Sequence, residues 1–152
     1  MTASPSVDGF VLDNSVSMLW LLPNSNPGGL AYAREVLSAL TTIQGRVPSL
    51  WGVEVANVIA KVENKGIVTA AQAQYFISML TRLNIVPDTQ TNDRALGDTL
   101  NLARRYKLSA YDAAYLELAL RLGLPLATLD ADLAQAARLA GVGAFALDAT
   151  IS

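Results

Sequence analysis

The sequence predicts an α/β domain built on a short parallel sheet, and three observations carry that prediction. Brief apolar runs at Phe10–Leu12, Asn84–Pro87, Leu126–Leu129 and Ala144–Leu147 alternate with longer stretches of helical periodicity, the pattern of parallel strands joined by helices. The first, Phe10–Leu12, is continuously apolar, as suits a strand covered on both faces. Most Gly and Pro residues fall between the segments, where they end helices and strands.

Taken in order, Met1–Asp8 is small and polar with one Pro and reads as a loose tail, the remainder as one domain spanning 1–152. Phe10–Leu12 is the first strand, and Asn14–Leu21 a short helix ended by the Pro23–Gly29 stretch. Leu30–Leu40 is the second helix, with Leu30, Ala33, Val36, Leu37 and Leu40 at helical spacing. After Gly45, Val47-Pro48 is briefly extended, and Ser49 is placed to cap a helix running to about Lys65, with Gly66 just beyond it. Thr69 caps a helix through about Leu83, and Asn84–Pro87 is a strand closed by Pro87 and Asp88. Helices are expected over Asp93–Tyr106, from Ser109 to Leu122, and over Asp132–Ala140, with the strands Leu126–Leu129 and Ala144–Leu147 on either side of the last.

Composition bounds the chemistry. The 152 residues are 52% hydrophobic and 16% charged, more apolar than an average soluble domain, so a large core or a partner surface is expected. No apolar run approaches the roughly 20 residues of a membrane span, and Met1–Phe10 lacks the basic start and apolar centre of a secretion signal. With no Cys there is no disulfide framework, and a cytoplasmic location is the default expectation. The absence of His and Cys excludes His-dependent triads, thiolate nucleophiles and the usual zinc sites. A proton acceptor must then be a carboxylate, Lys, Tyr or metal-activated water. Any metal must be held by oxygen, which suits Mg²⁺ or Mn²⁺. The formal charge of −2 excludes a polycationic binder.

Four acids occupy unusual positions. Asp13 follows the first strand, at the carboxyl edge where open parallel sheets bind ligands; its local alternative is a helix N-cap, a role Ser15 or Ser17 could share. Glu54 lies in Ser49–Ala60, a helix apolar on nearly every side, where an ionised carboxylate is costly unless it is paired or ligates a cation. Its alternatives are a helix edge reaching water or a pair with Lys61, and Asn57 is one turn away to orient it. Asp112 is spaced from Ser109 as in a capping box, flanked by Tyr111 and Tyr115 as packing residues or base contacts. Asp130 repeats the Asp13 arrangement after a later strand, with Asp132 as the competing cap of the next helix and Thr128 on the same strand face two residues before. Brought together, such like charges raise one another's pKa values and need a cation to stay ionised.

The segments FVLDNSVSMLW, PSLWGVEVANVI, LSAYDAAYLELAL and LATLDADLAQAA, in this order and from about Phe10 to Leu147, resemble those of PIN domains, and specifically the toxin subunit of VapBC-type toxin–antitoxin pairs. The resemblance implies a three-layer α/β/α fold with a short central parallel sheet. It implies that Asp13, Glu54, Asp112 and Asp130 coordinate Mg²⁺ or Mn²⁺ and support hydrolysis of RNA, with Ser15 and Thr128 nearby. It further implies a homodimer, a VapB-type antitoxin segment covering the site, and no membrane. One departure is the pI near 4.9, because an RNA-cutting surface usually carries positive charge; Arg104, Arg105 and Lys107 are the densest basic group, either a phosphate contact or a solvated helix end.

Two other classes compete. One is a PIN-fold interaction module without activity, against which the presence of all four acids argues. The other is phosphoryl transfer through an aspartyl-phosphate on Asp13, which would want a second Asp where Ser15 stands, or a Lys after the strand at Leu126, where none follows.

Overall fold

A computed structural model describes residues 8–147; the tail expected over Met1–Asp8 lies, except for Asp8, outside them. Four strands form one sheet: β1 (Gly9–Leu12), β2 (Gln44–Val47), β3 (Ile85–Pro87) and β4 (Leu126–Ala127), in the order β3-β2-β1-β4 with every pair parallel. The helices are α1 (Asn14–Ser17), α2 (Leu30–Ala39), α3 (Trp51–Asn64), α4 (Ala70–Thr81), α5 (Thr91–Arg94), α6 (Leu100–Tyr106), α7 (Ala110–Leu122) and α8 (Ala131–Leu139).

The alternation of β1 divides the core. Phe10 and Leu12 face one side, with Val16, Val36, Leu40 and Phe145; Val11 faces the other, with Tyr115, Leu116, Leu118 and Leu133. Successive strand residues point to opposite faces, so three consecutive apolar residues serve two cores and produce the three layers, α2 against α7 and α8. A third cluster, Val55, Ile59, Ala73 and Phe76, joins α3 to α4, and Trp51 packs partly buried against all three clusters.

Several expectations are corrected. The stretch read as briefly extended around Val47 is a full strand, β2, hidden because Gln44-Gly45-Arg46 is not apolar. Gly45 belongs there for space: a Cβ would stand 2.6 Å from Leu40 Cδ2. Ser49 does not cap α3. Its N–H donates to Thr91 Oγ1 at 3.0 Å, and Leu50 occupies the cap position without a side-chain cap. The helix expected from Asp93 begins at Thr91 and is widened over Ala95–Thr99 into a π-helical segment. β4 stops at Ala127, and the last strand, Ala144–Leu147, is reduced to a single bridge from Ala144 to Leu126. Thr69 caps α4 as expected, in a reciprocal box with Gln72. Among the described residues no helix is long and apolar enough to cross a membrane.

Candidate metal centre

The sheet order places β2 and β3 on one side of β1 and β4 on the other. The chain therefore reverses its direction of travel between β1 and β4, and an open α/β sheet presents its crevice beyond the carboxyl ends of such a pair. Asp13 is the first residue past β1 and Thr128 the first past β4. The backbone ties the two ends together, Asp13 N–H donating to Ala127 O at 2.9 Å.

Asp13 stands at the N-cap position of α1, yet its side chain makes no cap hydrogen bond. Its Oδ2 instead accepts from Ser15 Oγ at 2.5 Å and from Thr128 Oγ1 at 2.8 Å. These hydroxyls are themselves oriented: Ser15 Oγ accepts from Leu129 N at 2.9 Å, and Thr128 Oγ1 from Asp130 N at 3.0 Å. Asp13 is 4% exposed, and burial pushes its pKa up in spite of both hydroxyls, which pull it down.

Glu54 is half-buried in the first turn of α3. Because α3 starts just after β2, that turn also lies at the carboxyl edge of the sheet. Glu54 Oε1 accepts from Tyr115 Oη at 2.6 Å. Burial raises its pKa first, the phenol lowers it, and the charge of Asp13 raises it again. The expected pair with Lys61 does not form among the described residues, while the other alternative holds in part, since half-buried Glu54 still reaches solvent. Asn57 is exposed and makes no side-chain hydrogen bond among the described residues, so it does not orient Glu54.

Asp112 sits in the first turn of α7, where its N–H donates to Ser109 Oγ at 3.0 Å. Ser109 is thus the cap, and Asp112 does not complete the box. The Asp112 carboxyl is pushed up to about 6, by burial and then by the charges of Asp13, Asp130 and Glu54. That dependence brings all four sequence-selected acids into one electrostatic group. Asp130 is the cap of α8, accepting from Leu133 N at 2.9 Å; this decides between it and Asp132, which is exposed in the first turn.

Among the described residues no cation forms an ion pair with this group. The ion pairs among the described residues are Arg94–Asp98, Arg121–Asp88 and Arg121–Glu117, and none reaches the four acids. Nor do any three acids among the described residues stand in a ready-made ion-holding group; they share a field rather than a formed cage. The donor set nonetheless fits a hard dication: it is all oxygen, partly desolvated, negative and uncompensated.

Tyr115 is the residue that sequence reasoning undervalued. Read as a packing or base-facing residue, it is 1% exposed and packs in the core, but its hydroxyl holds Glu54. The signal available was its spacing, three residues after Asp112 and so on the same helix face.

A four-stranded parallel sheet with helices on both faces and acids at its reversal point defines the class as an α/β domain. The chain belongs to the PIN domain family, whose model matches residues 10–139. PIN domains are generally nucleases and generally use divalent metal ions. The crystal structure of PAE2754 from Pyrobaculum aerophilum is similar over 91% of this chain and 90% of that one, with a TM-score of 0.62 and 23% identity, a likeness that supports the fold alone. No curated protein is significantly similar to the sequence.

Proposed function

We propose that this PIN domain is a Mg²⁺- or Mn²⁺-dependent endoribonuclease, the toxin of a VapBC-type pair. The observation that carries the reading is the group formed by Asp13, Glu54, Asp112 and Asp130, in which the other three charges bear on Asp112 and no ion pair among the described residues offsets them. Asp13, Asp112 and Asp130 would hold one or two ions, with Glu54 as a further ligand or proton acceptor. A bound dication supplies charge neutralisation for phosphate oxygens and a water made acidic enough to attack near neutral pH.

The chain's own residues do the remainder. Ser15 and Thr128 fix the Asp13 carboxylate through Oδ2 and leave Oδ1 clear of both hydroxyls. Glu54, whose pKa is raised by burial, is suited to take a proton from the attacking water. A cleft of about 480 Å³ lined by Arg105, Tyr106, Lys107, Asp132 and Gln135 opens between the end of α6 and the start of α8. None of the four acids lines this cleft; its Arg105 and Lys107 are the cations we assign to an RNA backbone.

The same reading includes partners. Exposed Val53, Ile67 and Tyr75 and a groove of about 850 Å³ lined by Trp20, Leu22, Ile67, Tyr75, Phe76 and Met79 offer apolar surface for an antitoxin segment and a second copy. The lack of a ready-made three-acid group favours one rival, a PIN-fold interaction module without activity. Sequencing RNA ends after induction separates the two. Wild type should generate new 5′ ends at defined sites and Asp13→Asn none; equal ends in both would remove the site from the reaction.

A further inference from the structure

The hydroxyl of Tyr115 is not explained by packing. The ring lies in the α7 side of the core with Val11, Leu116, Leu126 and Leu133, a volume Phe would fill as well. A buried hydroxyl costs free energy unless it is hydrogen-bonded, and here the partner is an acid of the centre, Glu54, 61 positions away on another helix at 2.6 Å. Asp112 and Tyr115 are three residues apart on α7 and share a face. One helix therefore supplies an acid and the group that grips a second acid on α3. The Glu54 carboxylate accepts no other hydrogen bond among the described residues, so its several side-chain torsions are restrained at the tip by this phenol alone.

We infer that Tyr115 is the positioning residue for Glu54: the phenol takes Oε1, leaving Oε2 as the oxygen available to a cation or to the attacking water. The inference rests on the ion-binding reading above. Partners that orient a metal's ligands in this way typically change affinity or activity by about 10–100-fold when removed.

The test uses Tyr115→Phe in the full chain, with Mn²⁺ titrated calorimetrically into the free protein and RNA cleavage measured separately. Mn²⁺ affinity should fall about tenfold or more while unfolding stays cooperative, and kcat should fall more than KM changes. Adding Tyr115→Phe to Glu54→Gln should bring no further loss, because the phenol acts through that carboxylate. Unchanged Mn²⁺ affinity in Tyr115→Phe, or the same loss in the Glu54→Gln background, would overturn the inference and leave the ion site standing. Loss of cooperative unfolding in Tyr115→Phe would assign the hydroxyl to the fold and overturn it too. Failure of the wild type to bind Mn²⁺ would take down the ion site and the inference together.

Discussion

Two aspartates occupy the same local position and meet different fates. Asp13 is the first residue past β1 and Asp88 the first past β3, each 4% exposed at the carboxyl edge of one sheet. Asp88 receives Arg121 through both oxygens, Nη1 to Oδ1 at 3.1 Å and Nη2 to Oδ2 at 2.7 Å, with Thr91 Oγ1 adding a bond at 3.0 Å. Arg121 also holds Glu117, Nε to Oε2 at 2.7 Å. The guanidinium keeps the Asp88 carboxyl below its usual range, whereas burial drives Asp13 above it. Both side chains are out of solvent contact, but Asp13 is the more deeply desolvated and Asp88 has the guanidinium, and the two differences act in the same direction. A desolvated carboxylate with its own guanidinium belongs to the scaffold, here pinning α7 to the end of β3. Asp13, among three further acids, has hydroxyl and backbone hydrogen bonds but no ion pair among the described residues, so a proton or an ion from outside would relieve what those bonds do not.

Substitution should break this comparison in opposite directions. Asp13→Asn removes an uncompensated charge, so RNA cleavage should fall at least about 100-fold while the melting temperature holds or rises. Arg121→Met strands two buried carboxylates, so it should cost about 3 kcal/mol of stability, read from denaturant unfolding. If Arg121→Met proved neutral and Asp13→Asn strongly destabilising, the assignment of the two groups would be reversed.

The smaller effect lies in pH, and its sign differs between the groups. Asp88 has a folded pKa below the unfolded value of about 3.9; its contribution is present above that pH and lost as pH falls through the folded pKa. Asp112 has a folded pKa of about 6, so the folded state binds the extra proton and stability declines as pH rises from about 4 through 6. Denaturation at a series of pH values in chelator should show a loss on the acid side that Asp88→Asn removes and a decline above it that Asp112→Asn flattens. Stability rising steadily from pH 4 to 7 in metal-free protein would contradict the contrast.

How far the sequence disclosed this depends on the kind of signal. Asp13 and Asp130 were legible because each directly follows an apolar run, and Thr69 and Ser109 because caps are local chemistry. Gln44–Val47 was not legible as a strand: two of its first three residues are polar and the other is a glycine kept small by Leu40, a steric constraint from the end of α2 that leaves no mark in a hydrophobic pattern. The reduction of Ala144–Leu147 to one bridge likewise reflects how little of β4 remains to pair with it. In the centre, the acids could be chosen by position, but the contacts that sort them could not. Asp88 read as a strand terminator because Arg121, 33 residues on, is its partner only in space. Tyr115 was concealed by α7 being apolar nearly all round, which makes any aromatic there look like filling.

The central claim is that these four carboxylates share a cation the chain does not itself provide. Anomalous diffraction from crystals soaked in Mn²⁺ tests it most directly. The account predicts one or two peaks at bonding distance, about 2.0–2.2 Å for a small hard dication, from carboxylate oxygens of Asp13, Asp112 and Asp130, absent in Asp13→Asn. Manganese found only elsewhere on the surface, with these side chains unchanged, would contradict it.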